Sequence, residues 1–153
     1  MRKLFNAVHL TTAVAALVVL ACAVFWVFVA PRIQAAGPVL INGREIKIEV
    51  ADTYLAISKG LGGRDSLDRD AGMLFVLPYR GKHAFWMKDM KFPLDIIWLD
   101  RGMVVDVVTL YPPTAERPEP EIHEPSAMSD KVLELNAGMA EELGIKQGTV
   151  IEL

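Results

Sequence analysis

Apolar and polar residues follow two different patterns along this chain. Residues 10–30 form one apolar run in which 19 of 21 positions are hydrophobic, Thr11 and Thr12 being the exceptions, and none is charged. At about 1.5 Å per residue, such a run makes a helix roughly 31 Å long, the thickness of a bilayer's hydrocarbon core. The pattern predicts a single transmembrane anchor at residues 10–30, preceded by a stub at 1–9 and followed by a linker at 31–37. Arg2, Lys3 and the amino terminus outweigh Arg32, so the positive-inside rule puts the stub in the cytoplasm. The rest of the chain, 38–153, is then a domain facing the periplasm or cell exterior, on a single-pass cell-membrane protein. A cleaved signal peptide would have a shorter apolar stretch, and the small-residue site Ile33-Gln34-Ala35 stands beyond Pro31 and Arg32. Val19-Leu20-Ala21-Cys22 resembles a lipoprotein box only in part, because apolar residues continue from Ala23 to Ala30.

Beyond the linker the period shortens to two. Val39-Leu40-Ile41 runs into Asn42-Gly43, after which Glu45, Lys47 and Glu49 alternate with Ile46, Ile48 and Val50, the signature of a hairpin with one wet face. Asp52 is placed to cap a short helix through Ile57 that stops at Gly60. Met73–Leu77, Lys82–Lys88, Leu94–Leu99 and Met103–Tyr111 are short runs rich in aromatic and β-branched residues, and they read as strands. Five prolines and four glutamates against one arginine make residues 112–127 a surface loop. Lys131–Asn136 returns to strand, Ala137–Leu143 is a short helix, and Thr149–Leu153 closes as a strand. The fold predicted is mainly β, a jelly-roll-like β-sandwich or small barrel with one or two short helices, preceded by a single transmembrane helix.

Charge narrows the partners. All 19 acids lie beyond residue 44, so the part after the leader carries 13 basic against 19 acidic groups, a formal charge of −6. That balance argues against nucleic acid. Cys22 is the only cysteine, which excludes an internal disulfide. There is no phosphate-cradling loop, paired-cysteine metal site, His-Glu-x-x-His or Gly-x-Ser-x-Gly elbow, and no cofactor or metal is expected.

The densest chemistry is Phe85-Trp86-Met87-Lys88 followed by Pro93-Leu94-Asp95-Ile96-Ile97-Trp98-Leu99-Asp100. Paired as a hairpin with Lys88 opposite Asp95, these strands also set Trp86 against Ile97, Phe85 against Trp98 and His83 against Asp100, all favourable pairs. A second hairpin turning at Arg101-Gly102 sets Ile97 opposite Asp106, so that Lys88, Asp95 and Asp106 share one face. That face is either a lysine neutralising a strand aspartate or a polar binding cluster, and two carboxylates on a diagonal also suit acid–base chemistry.

Gly60-Leu61-x-Gly63-Arg64-x-x-Leu67, Gly72-Met73-Leu74-Phe75, His83-x-Phe85-Trp86-Met87-Lys88, Pro93-Leu94-Asp95-Ile96, Asp100-x-Gly102 and Val132-Leu133-Glu134-Leu135-Asn136-Ala137-Gly138 occur in this order. Together they resemble domain-of-unknown-function family 192, over residues 38–153. The resemblance implies a mostly β, jelly-roll-like domain, often carried behind a signal peptide or anchor. Asp89-Met90 stands where many relatives have Asn-Thr, and Gly62 where a bulkier residue is common.

The site expected from these readings comprises Arg64, His83, Trp86, Lys88, Asp95 and Asp106. The function expected is a non-catalytic binding or accessory module for a small polar or glycan ligand of the cell envelope. The alternatives are a small hydrolase using Asp95 and Asp106 on a glycan, and a mechanical role in which the acidic loop docks a membrane protein.

Overall fold

A computed structural model describes residues 18–20 and 33–153. Apart from the helical residues 18–20, the anchor predicted at 10–30 lies outside the described residues, as do the stub and Cys22. Among the described residues no helix is long and apolar enough to cross a membrane. The folded unit considered below is Arg32–Leu153.

Eight strands and two short helices follow one another along it: β1 (Ile33–Ile41), β2 (Arg44–Ala51), α1 (Tyr54–Lys59), β3 (Ala71–Gly81), β4 (Phe85–Trp86), β5 (Leu94–Asp100), β6 (Met103–Leu110), β7 (Ile122–His123), β8 (Ser129–Asn136) and α2 (Met139–Glu142). β1 begins inside the stretch read as linker. It pairs antiparallel with β2 through the predicted Asn42-Gly43 turn, both of whose residues take positive φ, 48° and 85°. Thr53, rather than Asp52, caps α1, its hydroxyl accepting the Ala56 amide at 3.2 Å.

Six strands form one open sheet in the order β1-β2-β3-β8-β5-β6, with β2 and β3 parallel across α1, while β4 and β7 form a separate two-stranded ribbon. The described residues therefore contain no closed barrel, and the mainly β prediction holds in this coarser form. The physical reason lies in the central strands. β5 is buried from Leu94 to Leu99, without the wet face of a sandwich strand, so both faces of the sheet need cover. On one face Ile97, Leu99, Leu133 and Leu135 pack under α2, Leu143, Ile145 and Ile151. On the other, Phe75, Ile96, Trp98 and Val132 pack under Ala56 of α1, Leu61, Met87 and Met90.

Two expected pairings are replaced. β4 is only two residues long and pairs with β7, a strand inside the proline-rich stretch read wholly as loop. Both edges of β5 are taken by β6 and β8, so the Lys88–Asp95 hairpin does not form. A local ion pair contributes at most about 1 kcal/mol, far less than burying Val132, Leu133 and Leu135 of β8 beside β5. The β5–β6 hairpin does turn at Arg101-Gly102, but the pairing slips between Trp98 and Leu99, leaving Trp98 opposite Asp106, Ile97 opposite Val107 and Asp95 opposite Thr109. The terminal strand shrinks to a bridge between Met103 and Val150.

Candidate functional site

The second core is not closed where α1 and the glycine turn after it approach β4. Helix α1 stops at Gly60, and the chain turns through Gly62 and Gly63, whose amide donates to the Asp89 carbonyl at 2.8 Å. That bond ties the turn to the 87–90 segment beyond β4. Between the two lies a cavity of about 440 Å³, walled by Ile57, Lys59, Leu61, Phe85, Trp86, Lys88, Asp89 and Met90, with Phe75 and Glu134 inside.

The aromatic wall is built in steps. Phe85 meets Phe75 edge-on at 5.0 Å between ring centroids and Trp98 edge-on at 5.9 Å. Trp98, wholly buried, donates its indole N–H to the His83 carbonyl at 2.9 Å, which fixes the segment leading into β4. With Phe85 turned inward, its neighbour Trp86 stands 53% exposed at the cavity edge, and the Lys88 ammonium lies 5.3 Å from its ring centroid.

Glu134 is the chemical centre of the cavity. Strand β8 places it between Met73 of β3 and Ile96 of β5, where it is only 6% exposed. Among the described residues its carboxyl takes part in no hydrogen bond. Burial pushes it up to about 8, against a partial downward pull from the Arg64 guanidinium. At neutral pH it is a protonated acid, able to donate and to accept. Arg64 is itself held by a bidentate pair to Glu49, both bonds 2.7 Å, and this partner keeps the Glu49 carboxyl below its usual range.

Of the residues expected at the site, Trp86 and Lys88 line this cavity and Arg64 stands close to its acid. The other three lie elsewhere. The His83 ring stacks on Tyr79, with its Nε2 2.9 Å from the Tyr79 carbonyl. Asp95 is buried on the opposite face of the sheet, where its two oxygens accept from the Thr109 hydroxyl at 2.7 Å and the Ala140 amide at 2.8 Å. Asp106 faces the second core beside Trp98 and His123. There it accepts the Ser126 amide at 2.7 Å and lies 3.2 Å from the His123 ring. Burial raises the Asp106 carboxyl, but the Ser126 amide, the His123 ring and the Val107 amide together leave it below its usual range. The single face shared by Lys88, Asp95 and Asp106 is thus corrected: the one-residue slip turns Asp95 and Asp106 to opposite faces of the sheet.

Sequence reasoning did not pick out Glu134. Its signal was present, because Val132-Leu133-Glu134-Leu135 sets one acid in an apolar strand with no basic residue at the matching position of either neighbour. Gly62 and Asp89, where the chain departs from the pattern it resembles, stand together at the cavity wall: a Cβ on Gly62 would lie 3.7 Å from that of Asp89 and 3.1 Å from the Lys59 carbonyl. Asp89 also holds a positive φ of 59°, uncommon for a residue with a side chain. Among the described residues no three of His, Cys, Asp and Glu converge as a metal-binding set.

Solved structures share this arrangement of strands. A protein of Sinorhizobium meliloti named as a candidate transcription regulator is 27% identical, with a TM-score of 0.64 over 75% of this chain and 88% of its own. A protein of unknown function from Novosphingobium aromaticivorans is 26% identical, with a TM-score of 0.64 over 82% of this chain and 94% of its own. No curated protein matches the chain. With its core, turns and cavity all falling between residues 38 and 153, the stretch matched by the family model "Uncharacterized ACR", the chain belongs to the DUF192 family.

Proposed function

We propose that the DUF192 domain of this chain is a non-catalytic binding module, taking a small polar or glycan ligand into the cavity between α1 and β4. One observation carries this reading: Glu134 is a buried carboxyl directed into a cavity, without a hydrogen-bond partner among the described residues. Its carboxyl oxygens open onto the cavity rather than being sealed away, so a ligand hydroxyl or amide there can take up hydrogen bonds that no described residue makes. The half-exposed Trp86 offers a flat apolar wall beside it, a combination suited to a ring with hydroxyls on its edge. The hydrolase reading loses its geometry with the separation of Asp95 and Asp106. The −6 charge beyond the leader continues to argue against a nucleic-acid partner, whatever the named role of the Sinorhizobium relative.

We further propose that residues 10–30 hold this module at the cell membrane, facing outward, where envelope glycans are the ligands at hand. The test of binding is titration calorimetry of the full-length protein in detergent against a panel of envelope monosaccharides and their acids. Trp86→Ala and Glu134→Leu, which removes both the donor and the acceptor, are each expected to weaken binding at least tenfold. Absence of heat with every member of the panel removes the reading, and release of a cleaved product moves the protein to the enzymes. Digestion of the domain by protease added outside intact spheroplasts is expected; full protection removes the outward placement.

A further inference from the structure

We propose that the cavity is selective for a single-ring organic acid of the uronic type, its carboxylate held by Lys59 and Lys88 at the mouth and a ring hydroxyl held by Glu134 within. This rests on the binding role proposed above and names the ligand class of the same site.

The argument begins from charge. The domain as a whole is acidic, yet the cavity lining carries two lysines against one exposed acid, Asp89, since the inner carboxyl of Glu134 is neutral at pH 7. No ion pair among the described residues engages Lys59 or Lys88. Both are nevertheless directed. The Lys88 ammonium rests over the Trp86 ring, 5.3 Å from its centroid. The Lys59 ammonium lies against Gly63, so closely that a Cβ there would come within 3.2 Å of it. The glycine leaves room for the cation to fold over the turn at the cavity mouth.

The excess is one positive charge, which a carboxylate neutralises; a phosphate at −1.5 to −2 overshoots it and is repelled by Asp89. Size selects further. A cavity of about 440 Å³ falls at the small end of ligand sites, room for one six-membered ring rather than a chain of sugars. Trp86 covers the apolar face of such a ring, and Glu134, able to donate and accept, meets the hydroxyl that points inward.

The experiment is calorimetric titration of the full-length protein with glucuronate, galacturonate, their neutral parents glucose and galactose, and glucose 6-phosphate at pH 7. The expected result is that one acid binds at least tenfold tighter than its neutral parent and tighter than the phosphate. Lys59→Met and Lys88→Met should each bring the ratio of acid to neutral-sugar affinity close to one with the thermal midpoint intact, both residues being exposed. Equal binding of acid and neutral sugar, silent lysine variants, or tighter binding of the phosphate overturns the acid preference and leaves a binding module standing. Acid binding that survives both Trp86→Ala and Glu134→Leu places the acid outside the cavity and overturns the proposal. Failure of all five probes removes the acid preference, whereas the binding module itself falls only if the wider panel is silent as well.

Discussion

Asp95 and Ala140, 45 positions apart in the chain, meet in a buried hydrogen bond of 2.8 Å, with the aspartate oxygen accepting the amide of α2. Its other oxygen accepts the Thr109 hydroxyl from β6, so one side chain fastens a central strand to its edge neighbour and to the layer above. Asp95→Ala leaves a buried amide unpaired as well as the carboxyl missing, and should destabilise the domain by about 2–4 kcal/mol. Urea unfolding followed by circular dichroism checks this. An unchanged midpoint would show that α2 is held by its apolar contacts alone.

Gly72 pairs with Leu135 where β3 runs beside β8. A Cβ at this position would stand 2.6 Å from Leu135 Cδ2 and 2.9 Å from the Glu134 carbonyl oxygen, the second of which has no rotamer to retreat into. Gly72→Ala should cost at least about 1–3 kcal/mol through overpacking and disturb β8 where it carries Glu134. The thermal midpoint and the amide chemical shifts of residues 133–136 are the measurements.

Glu134 gives stability a pH dependence of defined sign. Its carboxyl has an ordinary value of 4.5 and is raised to about 8 in the folded protein, so between those limits the native state holds a proton that the unfolded chain has released. The contribution is fully present below pH 4.5 and is lost as pH rises to about 8. Melting temperatures of the full chain should carry this downward component between pH 5 and 8, and Glu134→Gln should remove it. A variant as pH-sensitive as the parent would show the carboxyl to be ionised in the fold.

Arg64→Met breaks the two 2.7 Å bonds to Glu49. Because both partners are about a third exposed, the loss should be modest, about 0.5–1 kcal/mol. The sharper readout is at a distance: without the guanidinium's pull, the Glu134 carboxyl should titrate higher still, as read by carboxyl-carbon NMR. A downward move would mean that water enters the cavity when Arg64 is gone.

Turns and strands were legible in the sequence wherever their cause was local. Asn42-Gly43 and Arg101-Gly102 turn where positive φ is needed, and β5, β6 and β8 lie within a residue or two of their apolar runs. What escaped was pairing. Phe85-Trp86 and Leu94–Asp100 are neighbours in sequence and attractive to each other, but β8, arriving from residue 129, brings Val132, Leu133 and Leu135 beside β5 and displaces the local partner. The same displacement explains the site. Trp86 and Lys88 meet the turn after α1 across the cavity, and Glu134 joins them only once β8 sits between β3 and β5, a relation no spacing along the chain expresses.

One of the two edge strands, β1, carries an irregularity in its pairing between Ala35 and Gly37, followed at once by Pro38, which has no amide hydrogen to offer. A foreign strand seeking to add itself there meets a bent backbone and a missing donor. That rim of the sheet is thereby blunted against edge-to-edge growth.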